Sequence, residues 1–242
     1  MLLQGKTAIV TGAGHRLGAA IAEGLAGRGF NLLIHHHASP KPATEIARRA
    51  NALGVQAHVA QADLSRVEGV HQLYESFDGC FPQLDLLVNS AAIMQAVDLL
   101  TATEDDWQRT MALNLKGAFF CLQQAALRMQ ARGGVVINIS DLAGQRPWSR
   151  FPIHAISKAG VDMLTRVAAL RLAPDVRVNG IAPGPVLKPE AMPAARWEQI
   201  GGALPLRRAG RPEHVVQAVL FLAENDFITG ETIVVDGGDT LT

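Results

Sequence analysis

Lys158 follows His154 by four positions in the run His154-Ala155-Ile156-Ser157-Lys158. The run comes after a predicted strand at 135–140 and opens a predicted helix, so the two side chains lie one turn apart on the same helix face. An unperturbed imidazole titrates near pH ~6.5, which allows it to donate or accept a proton at neutral pH. These residue types could transfer a proton, with His154 moving it beside the positive charge of Lys158, and a structural histidine packed at the helix start is the alternative.

A glycine-rich turn joins the first predicted strand, at 7–10, to the helix that follows it. The turn reads Thr11-Gly12-Ala13-Gly14-His15-Arg16-Leu17-Gly18. Glycines allow backbone amides to approach a phosphate closely, and the N-terminus of a helix presents unpaired N–H groups to its negative charge. Glycines also form simple turns, but a strand before the turn and a helix after it favour a nucleotide site.

The residues after the second predicted strand lack the carboxylate that accepts hydrogen bonds from the ribose 2′-hydroxyl of NAD. The chain has His-His-His-Ala-Ser at 35–39 instead, where His36 and Ser39 could donate hydrogen bonds to a 2′-phosphate. The guanidinium of Arg16 could bind the same phosphate through a forked contact, so these residues predict NADP(H). A metal site is not expected, because side chains alternate faces along a strand and three adjacent histidines cannot converge on one ion.

Short apolar runs alternate with longer helical patterns along the whole chain. Strands are expected at 7–10, 31–35, 55–59, 84–88, 135–139, 176–181 and 232–235, and helices at 16–28, 41–53, 66–78, 103–130, 154–172 and 212–223. Strands separated by helices are typical of parallel β-α-β units. We therefore predict one α/β domain over residues 1–242, a doubly wound parallel sheet of about seven strands with helices on both faces.

Two local features refine this prediction. The chain from 183 to 205 is rich in proline and follows the sixth predicted strand, whose carboxyl end borders the edge where ligands bind to such sheets. We expect a substrate flap over 183–205, with a plain solvent loop as the alternative. Ser65 and Glu68 have the spacing of a capping box, which predicts that the third helix begins there.

Composition excludes several classes of protein. Basic and acidic side chains balance at 22 each, which argues against broad electrostatic binding to nucleic acid. The N-terminal residues lack the pattern of a secretory signal, and no apolar run is long enough to span a bilayer. The two cysteines, Cys80 and Cys121, suit a reducing compartment. We expect a cytoplasmic protein that binds a small molecule and neither nucleic acid nor a membrane.

Taken together, these motifs resemble the short-chain dehydrogenases/reductases, a family of nicotinamide-dependent oxidoreductases with a Rossmann-type fold. The similarity extends over nearly the whole chain and includes the segments 5–7, 89–92, 154–158, 178–184 and 228–238. Asp63 could equally be an acid flanking a helix, and Asn89 a turn residue. The residues that the patterns and the resemblance assign to the cofactor are Gly12, Arg16, Leu17, Gly18, His36, Ser39, Asp63, Leu64, Asn89, Ala91, Ser140, Lys158, Pro183 and Gly184.

The resemblance also implies a catalytic set of Asn, Ser, Tyr and Lys. Asn114 and Lys158 match two of its members, and His154 stands in the place of the tyrosine. Asp141 lies thirteen residues before His154, where the serine is usual, although the preceding Ser140 could be its replacement. We align Asp141 with that position, because pteridine reductases, a subgroup of the family, characteristically carry an aspartate there. The expected catalytic residues are therefore Asn114, Asp141, His154 and Lys158.

The same subgroup is similar in its Arg-Leu-Gly ending of the glycine-rich turn and in the segment at 35–39. Met94 takes the place of the aromatic residue on which those enzymes stack the pterin, and Trp148 could supply an aromatic wall from another direction. The expected substrate pocket is Met94, Asp141 and Trp148.

The function implied by the resemblance is NADPH-dependent hydride transfer to a pterin-like C=N or a related small carbonyl. Two alternatives stay open: a non-catalytic NADP(H)- or pterin-binding protein in which His154 is structural, and a general carbonyl reductase. Because many family members are tetramers, the resemblance further implies a homotetramer.

Overall fold

A seven-stranded parallel sheet forms the centre of the protein in the computed structural model, which describes residues 3–242. The strand order is β3-β2-β1-β4-β5-β6-β7. The strands are β1 (Thr7–Val10), β2 (Asn31–His36), β3 (Ala57–Gln61), β4 (Leu86–Asn89), β5 (Gly134–Ile139), β6 (Val176–Pro183) and β7 (Thr232–Val235). The helices are α1 (Arg16–Ala26), α2 (Pro40–Ala52), α3 (Val67–Asp78), α4 (Glu104–Met111), α5 (Ala118–Met129), α6 (Pro152–Leu172), α7 (Ala194–Ala203) and α8 (Pro212–Glu224).

Two apolar layers enclose the sheet. Along β1, Ala8 and Val10 face the layer formed with α1, α2 and α8, whereas Ile9 faces the layer formed with α3, α5 and α6. Strands buried on both faces need continuous apolar runs, which explains why the strand segments are so easily recognised in the sequence. The prediction of a doubly wound sheet in a single domain is confirmed.

The predicted helix at 103–130 is divided in the structure. Helix α4 begins with a capping box in which Thr103 and Asp106 satisfy each other's backbone N–H groups. A π-helical turn, Ala112–Gly117, then separates α4 from α5. Such turns insert one extra residue into a helix and are frequent at functional sites. Asn114 lies in this turn, so the interruption sets the direction of a residue that the sequence analysis assigns to catalysis.

One local prediction was wrong, and one helix was not predicted. Helix α3 begins at Val67 without a side-chain cap, because Ser65 donates its hydroxyl hydrogen to Asp63 Oδ1 rather than capping the helix. The stretch from 183 to 205 is not irregular throughout, since it contains the ten-residue helix α7. Proline flanks α7 at Pro193, and two glycines lie inside it, so its helical pattern is hidden from composition.

The carboxyl ends of all seven strands meet at one edge, since every strand pair is parallel. Ligands of such sheets bind at this edge, next to the point where the strand order reverses. In this sheet the reversal falls between β1 and β4. None of the helices in residues 3–242 is long and apolar enough to cross a bilayer.

Candidate active site

The carboxyl edge brings together the turn after β1 and the residues that follow β4, β5 and β6. Thr11 joins the turn after β1 to the residues after β4, since its hydroxyl accepts hydrogen bonds from the backbone N–H groups of Ser90 and Ala91 at 2.9 and 3.0 Å. Gly184, after β6, is fixed to β7 through a backbone hydrogen bond to Val235. Residues distant in sequence thus meet at the carboxyl edge, where sheets of this kind form the crevice that binds their ligand.

The glycine-rich turn is shaped for close approach. Gly12 has a φ of 66°, and a Cβ at this position would lie 2.8 Å from Ala91 Cα, which no side chain tolerates. A Cβ on Gly18 would lie 2.4 Å from Gly12 O, so the first turn of α1 packs directly on the turn before it. Arg16 also has a left-handed φ, 54°, a backbone conformation that favours glycine. The turn therefore exposes backbone N–H groups at the N-terminus of α1.

His35 holds this turn in place through hydrogen bonds, a role that the sequence analysis missed. Its Nδ1 accepts a hydrogen bond from Gly12 N–H at 3.0 Å, and its Nε2 lies 3.0 Å from the carbonyl oxygen of Ala62. Burial lowers the pKa of His35 to about 4, so the ring is neutral and can fill one acceptor and one donor role. Only its position at the end of a buried strand, next to a glycine-rich turn, could have indicated this.

The neighbouring histidine is buried but incompletely bonded. His36 is 4% exposed, and its Nδ1 has no hydrogen-bond partner in the described chain. A Cβ on Gly14 would contact Ser39 and His36, so both residues pack against the glycine-rich turn. Arg16 is exposed at the start of α1. The structure thus places three of the residues predicted to contact a 2′-phosphate around one turn.

Other predicted cofactor residues have partners within the protein. The hydrogen bond from the Ser65 hydroxyl lowers the pKa of Asp63, with a smaller contribution from the Ser65 backbone N–H, although partial burial opposes them. Asn89 donates to Asn138 Oδ1 and to the Ala118 carbonyl. Leu64 is buried in the layer under α3, and Leu17 packs on the layer under α1.

His154 lies in the first turn of α6 and is 3% exposed. Its Nδ1 is 3.1 Å from the carbonyl oxygen of Ile93 and 3.4 Å from Asn114 Nδ2. Asn114 Nδ2 donates to Ile93 O at 2.9 Å and to Ser157 Oγ at 3.0 Å, which uses both of its hydrogens. Nδ1 of His154 therefore carries the hydrogen and donates it to Ile93 O.

The other ring nitrogen of His154 faces Asp141. His154 Nε2 and Asp141 Oδ2 are 3.5 Å apart, a distance compatible with an ion pair, yet Nε2 makes no hydrogen bond within residues 3–242. Asp141 also uses Oδ1 to accept a hydrogen bond from Ala143 N–H at 2.8 Å. Ser140 is buried instead and directs its hydroxyl toward α6. Of the two candidates for the serine position, the structure brings Asp141 to His154.

Lys158 lies one helical turn beyond His154, as the spacing predicts. Its Nζ donates to the carbonyl oxygen of Ile139 at the end of β5, at 2.7 Å. Burial lowers the pKa of Lys158 to about 8, while the nearby carboxylates of Asp141 and Asp162 act in the opposite direction. Burial also raises the pKa of Asp162. Lys158 is therefore a buried amine that loses its proton far more readily than an ordinary lysine.

The predicted substrate residues Met94 and Trp148 lie in the two segments that follow β4 and β5. Met94 is half exposed, and Trp148 packs against Phe151 with ring centroids 6.1 Å apart. A backbone hydrogen bond from Val97 to Arg150 joins the two segments. Within residues 3–242, no three His, Cys, Asp or Glu side chains lie close enough to share a metal ion.

Comparisons with known proteins cover almost the whole chain. A family model described as Enoyl-(Acyl carrier protein) reductase matches residues 12–240. The chain is 37% identical to 3beta-hydroxysteroid dehydrogenase 1 of Eggerthella lenta, over 99% of this chain and 95% of that protein. It is 35% identical to 2-dehydro-3-deoxy-D-gluconate 5-dehydrogenase of Escherichia coli K12, over 98% and 96% of the two chains.

The fold has a close counterpart among solved structures. A protein assigned as a short-chain alcohol dehydrogenase from Sinorhizobium meliloti 1021 superposes with a TM-score of 0.93, at 27% identity and over 100% of both chains. These names support the family but not the pteridine reductase subgroup, which stays a prediction. The matched family model, the identities and the shared fold together place this chain in the short-chain dehydrogenase/reductase family.

Proposed function

We propose that this oxidoreductase uses NADPH to reduce a small carbonyl compound, with His154 as the proton donor. One observation carries the proposal: the buried imidazole of His154 has Nδ1 bonded to Ile93 O, while within residues 3–242 Nε2 has no partner except the carboxylate of Asp141 at 3.5 Å. A polar atom that is buried without a hydrogen bond is costly, and such atoms concentrate at functional sites. An oxygen atom of the ligand would therefore form a hydrogen bond with Nε2 of His154.

The cofactor fits the residues at the other end of the crevice. A Cβ would fill the space beside Gly12, and next to the same turn His36 Nδ1 is buried without a partner among the residues that the structure describes. We propose that the backbone around Gly12, Leu17 and Gly18 holds the pyrophosphate, and that Arg16, His36 and Ser39 hold the 2′-phosphate of NADP(H). Further cofactor contacts are proposed for Asp63, Leu64, Asn89, Ala91, Ser140, Lys158, Pro183 and Gly184.

The chemistry needs a hydride and a proton. NADPH supplies the hydride when it is bound. His154 takes up a second proton at Nε2, which makes the ring an imidazolium, and delivers this proton to the substrate oxygen, while Ile93 O keeps the ring oriented through Nδ1–H. Asn114 acts indirectly by holding the backbone of Ile93 in place. Its Oδ1 accepts a hydrogen bond from Ile93 N–H and its Nδ2 donates one to Ile93 O, each at 2.9 Å. Lys158 supplies positive charge when protonated.

Two substrate classes are in competition. The named relatives act on a hydroxysteroid and on a sugar acid, which favours a carbonyl and alcohol pair. Asp141 beside the reacting nitrogen, with Met94 and Trp148 in the segments after β4 and β5, favours the second candidate, a pterin-like ring. We propose a general carbonyl reductase first and a pterin-like reductase second, with 183–205 as the flap over the substrate.

The test is NADPH oxidation followed at 340 nm with a panel of ketones, hydroxyketones, steroid ketones and dihydropterins. We expect turnover with at least one carbonyl class, and slower turnover when NADH replaces NADPH. Absence of turnover throughout the panel, combined with tight NADPH binding, would instead support the non-catalytic binding protein.

We also propose a cytoplasmic homotetramer. Exposed apolar side chains occupy two separate faces: Phe119, Met163 and Val167 on α5 and α6, and Phe221 and Phe227 on and beyond α8. Apolar patches of this kind are typical of subunit interfaces, and two distinct faces allow dimers to pair into tetramers. Light scattering after gel filtration should give four times the chain mass of 25.8 kDa.

A further inference from the structure

We infer that Asp141 makes the site select carbonyl substrates that carry an O–H or N–H group on the carbon next to the one being reduced, such as α-hydroxyketones. The inference rests on the proposed reductase function and names its substrate class. It follows from which atoms at the site can donate a hydrogen bond and which can only accept one.

The first step concerns His154. Its Nδ1–H is committed to Ile93 O, because both hydrogens of the Asn114 amide are already used on Ile93 O and Ser157 Oγ. Rotating the ring would break this bond inside a region that is nearly inaccessible to water, since His154 is 3% exposed. The ring therefore presents a single working atom to the crevice, Nε2.

The second step concerns the neighbour of that atom. Asp141 Oδ2 lies 3.5 Å from His154 Nε2, and the Asp141 side chain is 23% exposed whereas Nε2 is buried behind it, so a ligand that approaches Nε2 first meets the Asp141 carboxylate. An ionised carboxylate only accepts hydrogen bonds, whereas a serine hydroxyl at this position would donate one to a substrate oxygen. A simple ketone has oxygen lone pairs alone to offer, which an acceptor beside it repels.

A substrate with a donor next to its carbonyl satisfies both atoms. Its carbonyl oxygen accepts from His154 Nε2–H, and its O–H or N–H donates to Asp141 Oδ2. In the reduction, hydride adds to the carbonyl carbon, the C=O π bond breaks, and the Nε2 proton is transferred to the oxygen. NADPH leaves as NADP⁺, the substrate gains two electrons and two hydrogens, and His154 regains its proton from solvent. Asp141 keeps its hydrogen bond throughout and donates no proton.

Matched ketones test this directly. We would measure kcat/KM with NADPH for 2-hydroxycyclohexanone and for cyclohexanone, which differ by one hydroxyl group, and compare their ratio among variants. A hydrogen bond to a charged group favours the hydroxyketone by roughly 10- to 100-fold in the wild type. In Asp141→Ser the ratio should fall at least about tenfold, mainly through faster turnover of cyclohexanone, because serine donates to the ketone oxygen.

The serine variant is chosen because it keeps the local fold. A serine side chain can accept the hydrogen bond from Ala143 N–H that Asp141 accepts now, so the turn at 142–144 retains its cap. Asp175→Ser is the matched control, since Asp175 is exposed at the opposite edge of the sheet, before β6, and should leave the ratio unchanged. Thermal melting of both variants checks that they are folded.

The outcomes separate this inference from the proposed function. A wild-type ratio near one, or an unchanged ratio in Asp141→Ser, overturns the inference while the reductase activity stands. Where neither ketone is turned over, their dissociation constants from the NADP⁺ complex, measured by calorimetry, provide the same ratio. If the hydroxyketone then binds no better than cyclohexanone, the inference fails. The reductase proposal fails only if the whole carbonyl and pterin panel is inert.

Discussion

Two buried histidines lie at opposite ends of the crevice and differ in one respect. His35, at the cofactor end, is 2% exposed and has both ring nitrogens paired with backbone groups of the protein. His154, at the chemical end, is 3% exposed, but within the described part of the chain only its Nδ1 is paired. Burial alone therefore does not distinguish a structural histidine from a working one. The unpaired nitrogen does, because it leaves a hydrogen-bonding position for a ligand.

The chemical end should respond most strongly to mutation. We expect His154→Ala to lower kcat by about 10²- to 10⁴-fold, the usual contribution of a positioned acid or base, with NADPH affinity unchanged within about twofold. His154→Tyr should retain measurable activity, because a phenol also donates a proton. His71→Ala, on the exposed face of α3, is the control. If His154→Ala kept full kcat, His154 would be as structural as His35, and the contrast between them would disappear.

Lys158 provides a second test, in which activity and stability move in opposite directions. Burial lowers its pKa to about 8 from 10.5, so between these values the unfolded chain binds more protons than the folded one. The contribution of Lys158 to stability therefore rises with pH across this window and is least favourable below pH 8. We expect Lys158→Met to raise the free energy of unfolding at pH 7 by on the order of 1–3 kcal/mol and to lower kcat by about 10²-fold.

Urea unfolding of wild type and Lys158→Met from pH 7 to 10 measures this, because the difference between the two proteins cancels groups that titrate in both. The gain in stability should shrink steadily above pH 8. Arg171→Met, exposed at the end of α6, is the control and should show no such pH dependence. A gain that is constant over the whole range would mean that Lys158 is not held in a buried, charged state.

The contrast between the histidines also shows how far sequence reasoning reaches. The strand runs, the glycine-rich turn and the four-residue spacing from His154 to Lys158 predict the sheet and the approach of the two side chains, because periodicity is a local property. Helix α7 was missed, since its proline and glycines mask its pattern. The role of His35 was missed as well, because it depends on Gly12 and Ala62, whose backbone groups meet the ring only in the folded sheet.

The free nitrogen of His154 could not be predicted either. The sequence analysis considered that Asp141 could align with the catalytic serine, but not which ring nitrogen it would meet. That depends on Ile93 O, a backbone atom placed by Asn114 in the π-helical turn. Spacing therefore predicts which side chains approach one another, while backbone partners from distant segments decide which atoms remain available.

At the cofactor end we expect replacement of His35 to change kcat little and to lower the free energy of unfolding clearly. His35→Leu leaves Gly12 N–H and Ala62 O without partners, at about 1–3 kcal/mol for each buried group. NADPH affinity should fall roughly tenfold, because the glycine-rich turn loses its support, whereas kcat at saturating NADPH should stay within about twofold. His71→Leu is the control. A large loss of kcat at saturation would contradict the structural role.

The pH dependence of stability gives an independent measure of His35. Burial lowers its pKa to about 4 from 6.5, so between these values the unfolded chain holds the extra proton. The stability that the neutral ring provides is complete above pH 6.5 and is lost as pH falls toward 4. The difference in free energy of unfolding between wild type and His35→Leu should therefore narrow between pH 6.5 and 4.5, as followed by urea titration.

The smallest expected effect comes from replacing Arg16, and comparison with Arg207 separates its backbone strain from its contribution to cofactor binding. Arg16 and Arg207 are the two non-glycine residues of the described chain with φ in the left-handed region, each at 54°, and both are exposed. Replacing either with glycine should relieve up to about 1 kcal/mol of strain and raise the melting temperature slightly. Only Arg16→Gly should also weaken NADPH relative to NADH, by about fivefold, the value of an exposed ion pair. Fluorescence titration with both cofactors measures this preference. Equal changes in the two variants would show that Arg16 shapes the turn without reading the 2′-phosphate, and would leave recognition of that phosphate to His36 and Ser39.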